Sequence, residues 1–312
     1  MLSPDSMELS RSRGWYSDEE LAVITDESRL SIAGVGGAGF AYGLGMVRSG
    51  VQSIAVADPD VFERQNMNRV PGATESNLGR NKAVVFAEMA REINPDVDVD
   101  VYKEGVTRKN AADFVGGSSL VFDGIDVDAL LPTIALHQAA RRAGTAVLTG
   151  LEVGPSAMVT SYKPKGGVTL EQVTGFKPDE DLDSIQEKID LSKNKGGNRA
   201  GLILPYLPYK SGHLAVLKAV LEGAPLPSSA EGVELFSALA QRQSMLHLLG
   251  GVSNHRPEPV WADKYRVYDL DAGARTVKRS TINLLGYVAR LKMRELFDRN
   301  PDSGYSADYS DK

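Results

Sequence analysis

Four glycines in six residues, Gly34, Gly36, Gly37 and Gly39, follow directly on the apolar run Leu30-Ser31-Ile32-Ala33. Such a run feeding a glycine turn, with a helical pattern from Phe40 to about Ser49 behind it, reads as strand, turn and helix N-terminus. Glycines let the backbone turn tightly and approach a phosphate, and the free N–H groups of a helix start, with its dipole, favour an anion there. A second apolar run, Ile54-Ala55-Val56-Ala57, ends in Asp58, 19 residues beyond Gly39, where a carboxylate meets ribose hydroxyls. These features specify a nucleotide. Taken alone, they favour a dinucleotide and hydride transfer.

The residues beyond Asp58 shift that balance. The stretch Asp58-Pro59-Asp60-Val61-Phe62-Glu63-Arg64-Gln65-Asn66-Met67-Asn68-Arg69 precedes Gly79-Arg80-Asn81-Lys82-Ala83, which opens a helix. Asp123-Gly124-Ile125-Asp126 then closes another apolar run. Hydride transfer needs no arginine, lysine and additional aspartates around the phosphates, whereas breaking a triphosphate does. In order and spacing these blocks resemble the ThiF/MoeB/HesA superfamily of adenylyltransferases related to ubiquitin-activating enzymes. Its pattern runs GxGGxG, DxDxVexSNLxRQ, a GxxKA helix start and a DxxDN acid pair. The resemblance covers roughly residues 29–162; Gln65, Val70 and Val127 stand where the pattern has Ser, Gln and Asn.

The resemblance implies ATP as co-substrate and assigns roles. Gly34, Gly36, Gly37 and Gly39 cradle phosphates, Asp58 takes the ribose hydroxyls, and Asn66 hydrogen-bonds near the phosphates. Arg69 offers a planar fork to phosphate oxygens and Lys82 a point charge to the β- and γ-phosphates. Asp126 holds Mg²⁺, with Asp60 and Asp123 completing the nucleotide-facing set. Relatives form dimers in which an arm arginine reaches the neighbouring subunit's triphosphate, a role that falls to Arg13. Other readings stay open: Arg13 as a solvated arm residue, Arg69 as an exposed charge, Lys82 as a surface lysine of an amphipathic helix, Asp126 as a helix N-cap, and Asp123 as a cap or a solvated acid.

The 312-residue sequence contains no cysteine. Thiolate zinc sites, disulfides and a cysteine-linked acyl intermediate are thereby excluded within it, so no zinc is expected and an acyl-adenylate formed here must meet another nucleophile. A net charge of −6 argues against general nucleic-acid or membrane-surface binding. No apolar run reaches bilayer-spanning length and the N-terminus lacks a signal-like core, so a cytoplasmic location is expected.

Along the rest of the chain, residues 1–28 read as a polar arm with a short helix whose Ser17 and Glu20 have capping-box spacing. Residues 29–164 read as an ATP-binding, Rossmann-like domain. Helical spacing runs from Lys82 to Ile93, Val97, Val99 and Val101 mark a third strand, and 108–115 reads as a short helix. Leu120-Val121-Phe122 reads as the fourth strand, 129–143 as a helix and 146–149 as a further strand. Residues 165–298 read as the substrate and dimerisation part of the same fold. They contain a charged loop or exposed helix at 177–198, which doubles as a candidate lid or a solvated insertion, a core or interface helix at 232–250, an antiparallel pair around residues 271–273 and a last helix at 282–297. Residues 299–312 read as a flexible tail. His137, His213, His247 and His255 share no metal-ligand spacing. The expected fold is α/β: a doubly wound, mostly parallel sheet with C-terminal antiparallel strands and helical additions.

The function expected is activation of a substrate carboxylate, a peptide C-terminus or small acid in a biosynthetic pathway, as an acyl-adenylate by a homodimer using ATP and Mg²⁺. A catalytically inactive partner subunit and an NAD-dependent oxidoreductase are the alternatives. No nucleic-acid or membrane partner is expected.

Overall fold

The apolar runs of the sequence become the parallel centre of a sheet. In the computed structural model, which describes residues 9–126, 129–191, 228–253, 255–271 and 273–278, β1 (Arg29–Ala33), β2 (Ser53–Ala57), β3 (Asp98–Tyr102), β4 (Leu120–Asp123) and β5 (Val147–Val153) pair in parallel. Three antiparallel strands, β6 (Ser156–Tyr162), β7 (Lys264–Asp269) and β8 (Gly273–Lys278), extend one side. The order is β3-β2-β1-β4-β5-β6-β7-β8. The chain reverses its direction of strand addition between β1 and β4, and in such sheets ligands bind outside the carboxyl ends of the strands at that switch.

Side chains alternate across the strands and build two cores. Leu30, Ile32, Ile54, Val56, Leu120 and Phe122 face one layer of helices: α2 (Gly37–Arg48), α3 (Lys82–Ile93) and α8 (Ala230–Leu248). Ala33, Ala55, Ala57 and Val121 face the other, made of α4 (Ala111–Val115), α5 (Leu130–Ala143), α6 (Leu170–Thr174) and α7 (Leu182–Leu191). On the first face Tyr42 of α2 stacks on Phe122 with ring centroids 4.2 Å apart, and Phe236 of α8 meets Phe122 edge-on at 6.0 Å. Each of these buried rings removes enough apolar surface to contribute roughly 2 kcal/mol or more. The helix expected at 232–250 is thus a core element packed on α2, β5 and β6.

The structure refines the expected elements. α2 starts at Gly37 rather than Phe40, because Gly36 adopts an extended N-cap geometry and the glycines form the first helical turn. β6 and α6 carried no distinct expectation, and α6 has a reciprocal capping box between Thr169 and Gln172. Of the two forms considered for the charged stretch, the helix is present: Leu182, Ile185 and Ile189 face the second core, and Arg108 pairs with Asp183 on the outer side. Residues 192–198 of that stretch, His213, the helix expected at 282–297 and the tail lie outside the described residues.

The arm is pinned to the body. Ser17 and Glu20 form the expected capping box around α1 (Asp18–Ala22). The Glu20 carboxylate, 3% exposed, also accepts two bonds from Arg256, 2.6 Å from Nε and 2.8 Å from a terminal nitrogen. Hydrogen bonding from the guanidinium holds the Glu20 carboxyl down at about 2, below its ordinary 4.5. A depressed acid stabilises the fold fully above its unfolded value and loses that contribution as pH falls through the folded one. Urea unfolding should therefore show wild-type stability dropping between pH 4.5 and about 2 by a component that Glu20→Gln lacks. At neutral pH the variant should be weaker by about 2 kcal/mol. Equal acid slopes in both proteins would refute the pairing.

Candidate active site

The glycine turn is shaped by close packing at two positions and open space at a third. Gly34 sits at φ +83°, and a Cβ there would lie 2.3 Å from the Gly124 carbonyl oxygen. A Cβ on Gly39 would lie 2.0 Å from the Gly34 carbonyl oxygen, so the first turn of α2 rests directly on the loop. At Gly36 nothing lies within 4 Å of the corresponding point. That space belongs to a cavity of about 600 Å³ at the carboxyl ends of the parallel strands, lined by Gly34, Gly36, Gly37 and Gly39. Its size is that of an ordinary ligand site. The first turn of α2 carries no acid, so no side chain there opposes an anion approaching its N–H groups.

One segment brings most of the charge to this cavity. Asp58 is buried at the tip of β2; its carboxylate accepts from the Val35 N–H at 2.7 Å and the Asp60 N–H at 2.9 Å, and burial raises its pKa. Asp60 accepts from Lys82 Nζ at 2.8 Å, and Lys82, 8% exposed, begins α3. Asn81 is the N-cap: its side-chain oxygen accepts from Val84 N–H, and its Nδ2 donates to the carbonyls of Asp58 and Asp60. Sequence reasoning treated Asn81 only as part of the motif, yet it ties the strand end to the helix that carries Lys82. Asn66 is buried in a short 3₁₀ turn, where its Oδ1 accepts from Glu63 N–H. Arg69 donates to the Gln65 carbonyl and to Asn68 Oδ1. Asp58, Asp60, Asn66, Arg69 and Lys82 all line the cavity.

The acid pair after β4 divides. Asp126 is exposed, lines the cavity, and is not the N-cap of α5, a position held by Ala129. Asp123 is different: it is 4% exposed and its Oδ2 lies 2.9 Å from Nε2 of His137, while Oδ1 accepts from Ile125 N–H. It does not line the cavity, and neither capping nor solvation describes it. It forms a buried brace between β4 and α5. Arg13 is also absent from the cavity of its own chain; it lies 3.4 Å from Asp18 on the arm.

Sequence reasoning missed the far wall. Glu104 and Thr107 after β3, Glu152 on β5, Ser228, and Phe236 on α8 all line the same cavity. For Glu152 the signal was available: it stands at the carboxyl end of the strand begun by Val147-Leu148-Thr149. Burial pushes its carboxyl up to about 7, opposed by a hydrogen bond from Ser228 and the charge of Arg69. Among the described residues no group of three or more His, Asp or Glu side chains could by itself enclose a metal. Asp126 is an exposed carboxylate on the cavity, and a hard ion such as Mg²⁺ would need only one or two such carboxylates beside phosphate and water oxygens.

A glycine helix start, an arginine, a lysine and an exposed aspartate thus surround one cavity on a doubly wound sheet. The family description that matches this sequence, over residues 13–269, is "ThiF family". The chain belongs to the ThiF family. Among relatives, the tRNA threonylcarbamoyladenosine dehydratase of Escherichia coli K12 is 30% identical over 224 residues, covering 70% of this chain and 81% of the relative. The sulfur carrier protein ThiS adenylyltransferase of Bacillus subtilis is 32% identical over 154 residues, 49% of this chain and 42% of its own. Of solved structures, E. coli MccB with MccA-N7isoASN superposes with a TM-score of 0.62 at 16% identity, covering 88% and 73% of the two chains. The E. coli dehydratase TcdA with ATP superposes at 0.55 and 20% identity, covering 80% and 96%. At these identities the structural likeness establishes the ThiF fold. Among the described residues no helix is long and apolar enough to cross a membrane.

Proposed function

We propose that this ThiF-family chain is an ATP- and Mg²⁺-dependent adenylyltransferase that activates a carboxylate as an acyl-adenylate, with release of pyrophosphate and no thioester on its own residues. The observation carrying this reading is the convergence of the Gly36–Gly37 helix start, Arg69, Lys82 and Asp126 on one cavity. A carboxylate oxygen attacks the α-phosphorus, the bond to the bridging oxygen breaks, and its electron pair leaves with pyrophosphate. Catalysis of such a transfer is chiefly alignment and charge neutralisation. The α2 N–H groups position the phosphates, Arg69 and Lys82 offset the charge that develops on them, and Asp58 meets the ribose. Lys82 would exchange its bond with Asp60 for one to phosphate. Asp126 is the residue that would hold Mg²⁺, which when bound neutralises phosphate oxygens.

The absence of cysteine from the sequence leaves the acyl-adenylate to an external nucleophile. With a fold relative, MccB, solved together with MccA-N7isoASN, we favour a peptide C-terminus or small acid in natural-product biosynthesis as substrate. The active form in this reading is a cytoplasmic homodimer, with Arg13 reaching the neighbouring site. The deciding measurement is Mg²⁺-dependent ATP–pyrophosphate exchange with C-terminal peptides, free amino acids and small carboxylic acids. Exchange stimulated by one class is expected. ATP binding without exchange would point to an inactive subunit, and NAD binding without ATP binding to the oxidoreductase.

A further inference from the structure

The wall opposite the glycine turn holds a polar group that adenylation itself does not use. Glu152 stands near the end of β5 and lines the cavity with Arg69 and Asp126. Its Oε1 accepts from the Ser228 hydroxyl, whereas Oε2 is shut off from solvent and has no hydrogen-bond partner among the described residues. A buried acceptor left unpaired is costly, and a carboxylate more so than a neutral group. The position is also fixed from behind. A Cβ on Gly232 of α8 would lie 2.0 Å from the Gly154 carbonyl oxygen and 3.3 Å from Glu152 Oε2, so α8 is seated tightly over this carboxylate.

Glu152 is joined to the phosphate side of the cavity. Arg69 donates to Asn68 Oδ1, Asn68 Nδ2 donates to the Ser228 carbonyl at 3.4 Å, and the Ser228 hydroxyl donates to Glu152. A donor bound beside Arg69 therefore meets this carboxylate. The terminal torsion of a glutamate is soft, so the unpaired oxygen can turn toward the cavity, giving up the Ser228 bond in exchange for one to the bound donor. The charge balance narrows the ligand. Among the described residues, Asp58, Asp60, Glu104, Asp126 and Glu152 line the cavity against only Arg69 and Lys82, and ATP adds negative charge. An acid at Glu152 is useless to a triphosphate but matches an N–H group.

Building on the adenylation reading, we propose that Glu152 is a specificity residue that accepts a hydrogen bond from an amine or amide N–H of the acyl substrate. The substrate class is then a carboxylic acid with a nitrogen donor near its carboxylate, as in an amino acid or peptide, rather than a plain fatty or aromatic acid.

The test uses the full-length protein and matched probes: amino acids and short peptides, each beside the analogue in which CH₂ or an ester oxygen replaces the N–H. ATP affinity is measured by direct titration and turnover by ATP–pyrophosphate exchange, for wild type, Glu152→Gln and Glu152→Leu. Wild type should prefer the donor-bearing acid by about tenfold or more, the size of effect one charge-assisted bond gives. Glu152→Leu should raise KM for that acid by a similar factor and erase the preference, with ATP affinity within about twofold of wild type. Glu152→Gln, which keeps an acceptor, should fall between. A purely structural role would lower the melting temperature and depress both probes equally, and that result overturns the inference. So does a wild-type enzyme without preference, or a Glu152→Leu variant that keeps it. Failure to bind ATP, or ATP binding with no exchange by any probe, would instead overturn the adenylation reading.

Discussion

Replacing Asp126 by alanine is expected to reduce ATP–pyrophosphate exchange by about 10³-fold, into the background of the assay, while the melting temperature stays within about 2 °C of wild type. The size comes from the proposed role. A carboxylate that holds the cation neutralising transferring phosphates contributes several kcal/mol to the transition state. The unchanged stability comes from geometry, since Asp126 is exposed and does not cap α5. Raising Mg²⁺ should restore part of the activity if the side chain acts through the metal. Wild-type exchange in Asp126→Ala would sink the metal role outright.

The glycine turn yields the second large effect, as a contrast between two alanines. Gly39→Ala places a methyl 2.0 Å from the Gly34 carbonyl oxygen, a backbone atom that cannot swing aside. We expect a loss of about 3 kcal/mol or more in urea unfolding, and ATP binding lost with it. Gly36→Ala adds the same methyl to open space, at φ −67°, which any L-residue tolerates. Its stability should match wild type, while ATP affinity falls by about tenfold or more, because the methyl occupies the phosphate approach. If Gly36→Ala binds ATP normally, the phosphates do not lie at that turn.

The turn shows what was legible in the sequence. Glycine at 34 and 39 announced itself because no other residue fits, and Asp58, Arg69, Lys82 and Asp126, picked out by their spacing, line one cavity. The start of α2 was misplaced because glycine is a poor helix former by propensity, while here the loop packing imposes helical geometry on it. β6 was obscured for a different reason. All seven of its residues are buried, so the strand lacks the apolar and polar alternation that marks a half-exposed one. Its hydroxyls are satisfied by distant groups: Ser156 by Asp269, Thr160 by the Lys264 carbonyl and Ser161 by His247. The same holds for Asp123, whose partner His137 lies 14 residues away on α5, and for Glu152, whose partner Ser228 lies 76 residues away. Local motifs report chain neighbours, and these pairings exist only once the sheet has assembled.

The cavity also has a divided ancestry along the chain. Gly34, Gly36, Gly37, Gly39, Asp58, Asp60, Asn66, Arg69 and Lys82 come from one continuous stretch, residues 34–82, braced internally by Asn81. Glu152, Ser228 and Phe236 come from β5 and the region of α8, far later in sequence. A wall assembled from separate stretches can drift without disturbing the other. Such a layout lets a lineage keep one nucleotide chemistry while changing the molecules it serves, by altering a few positions on a strand end and the helix that covers it.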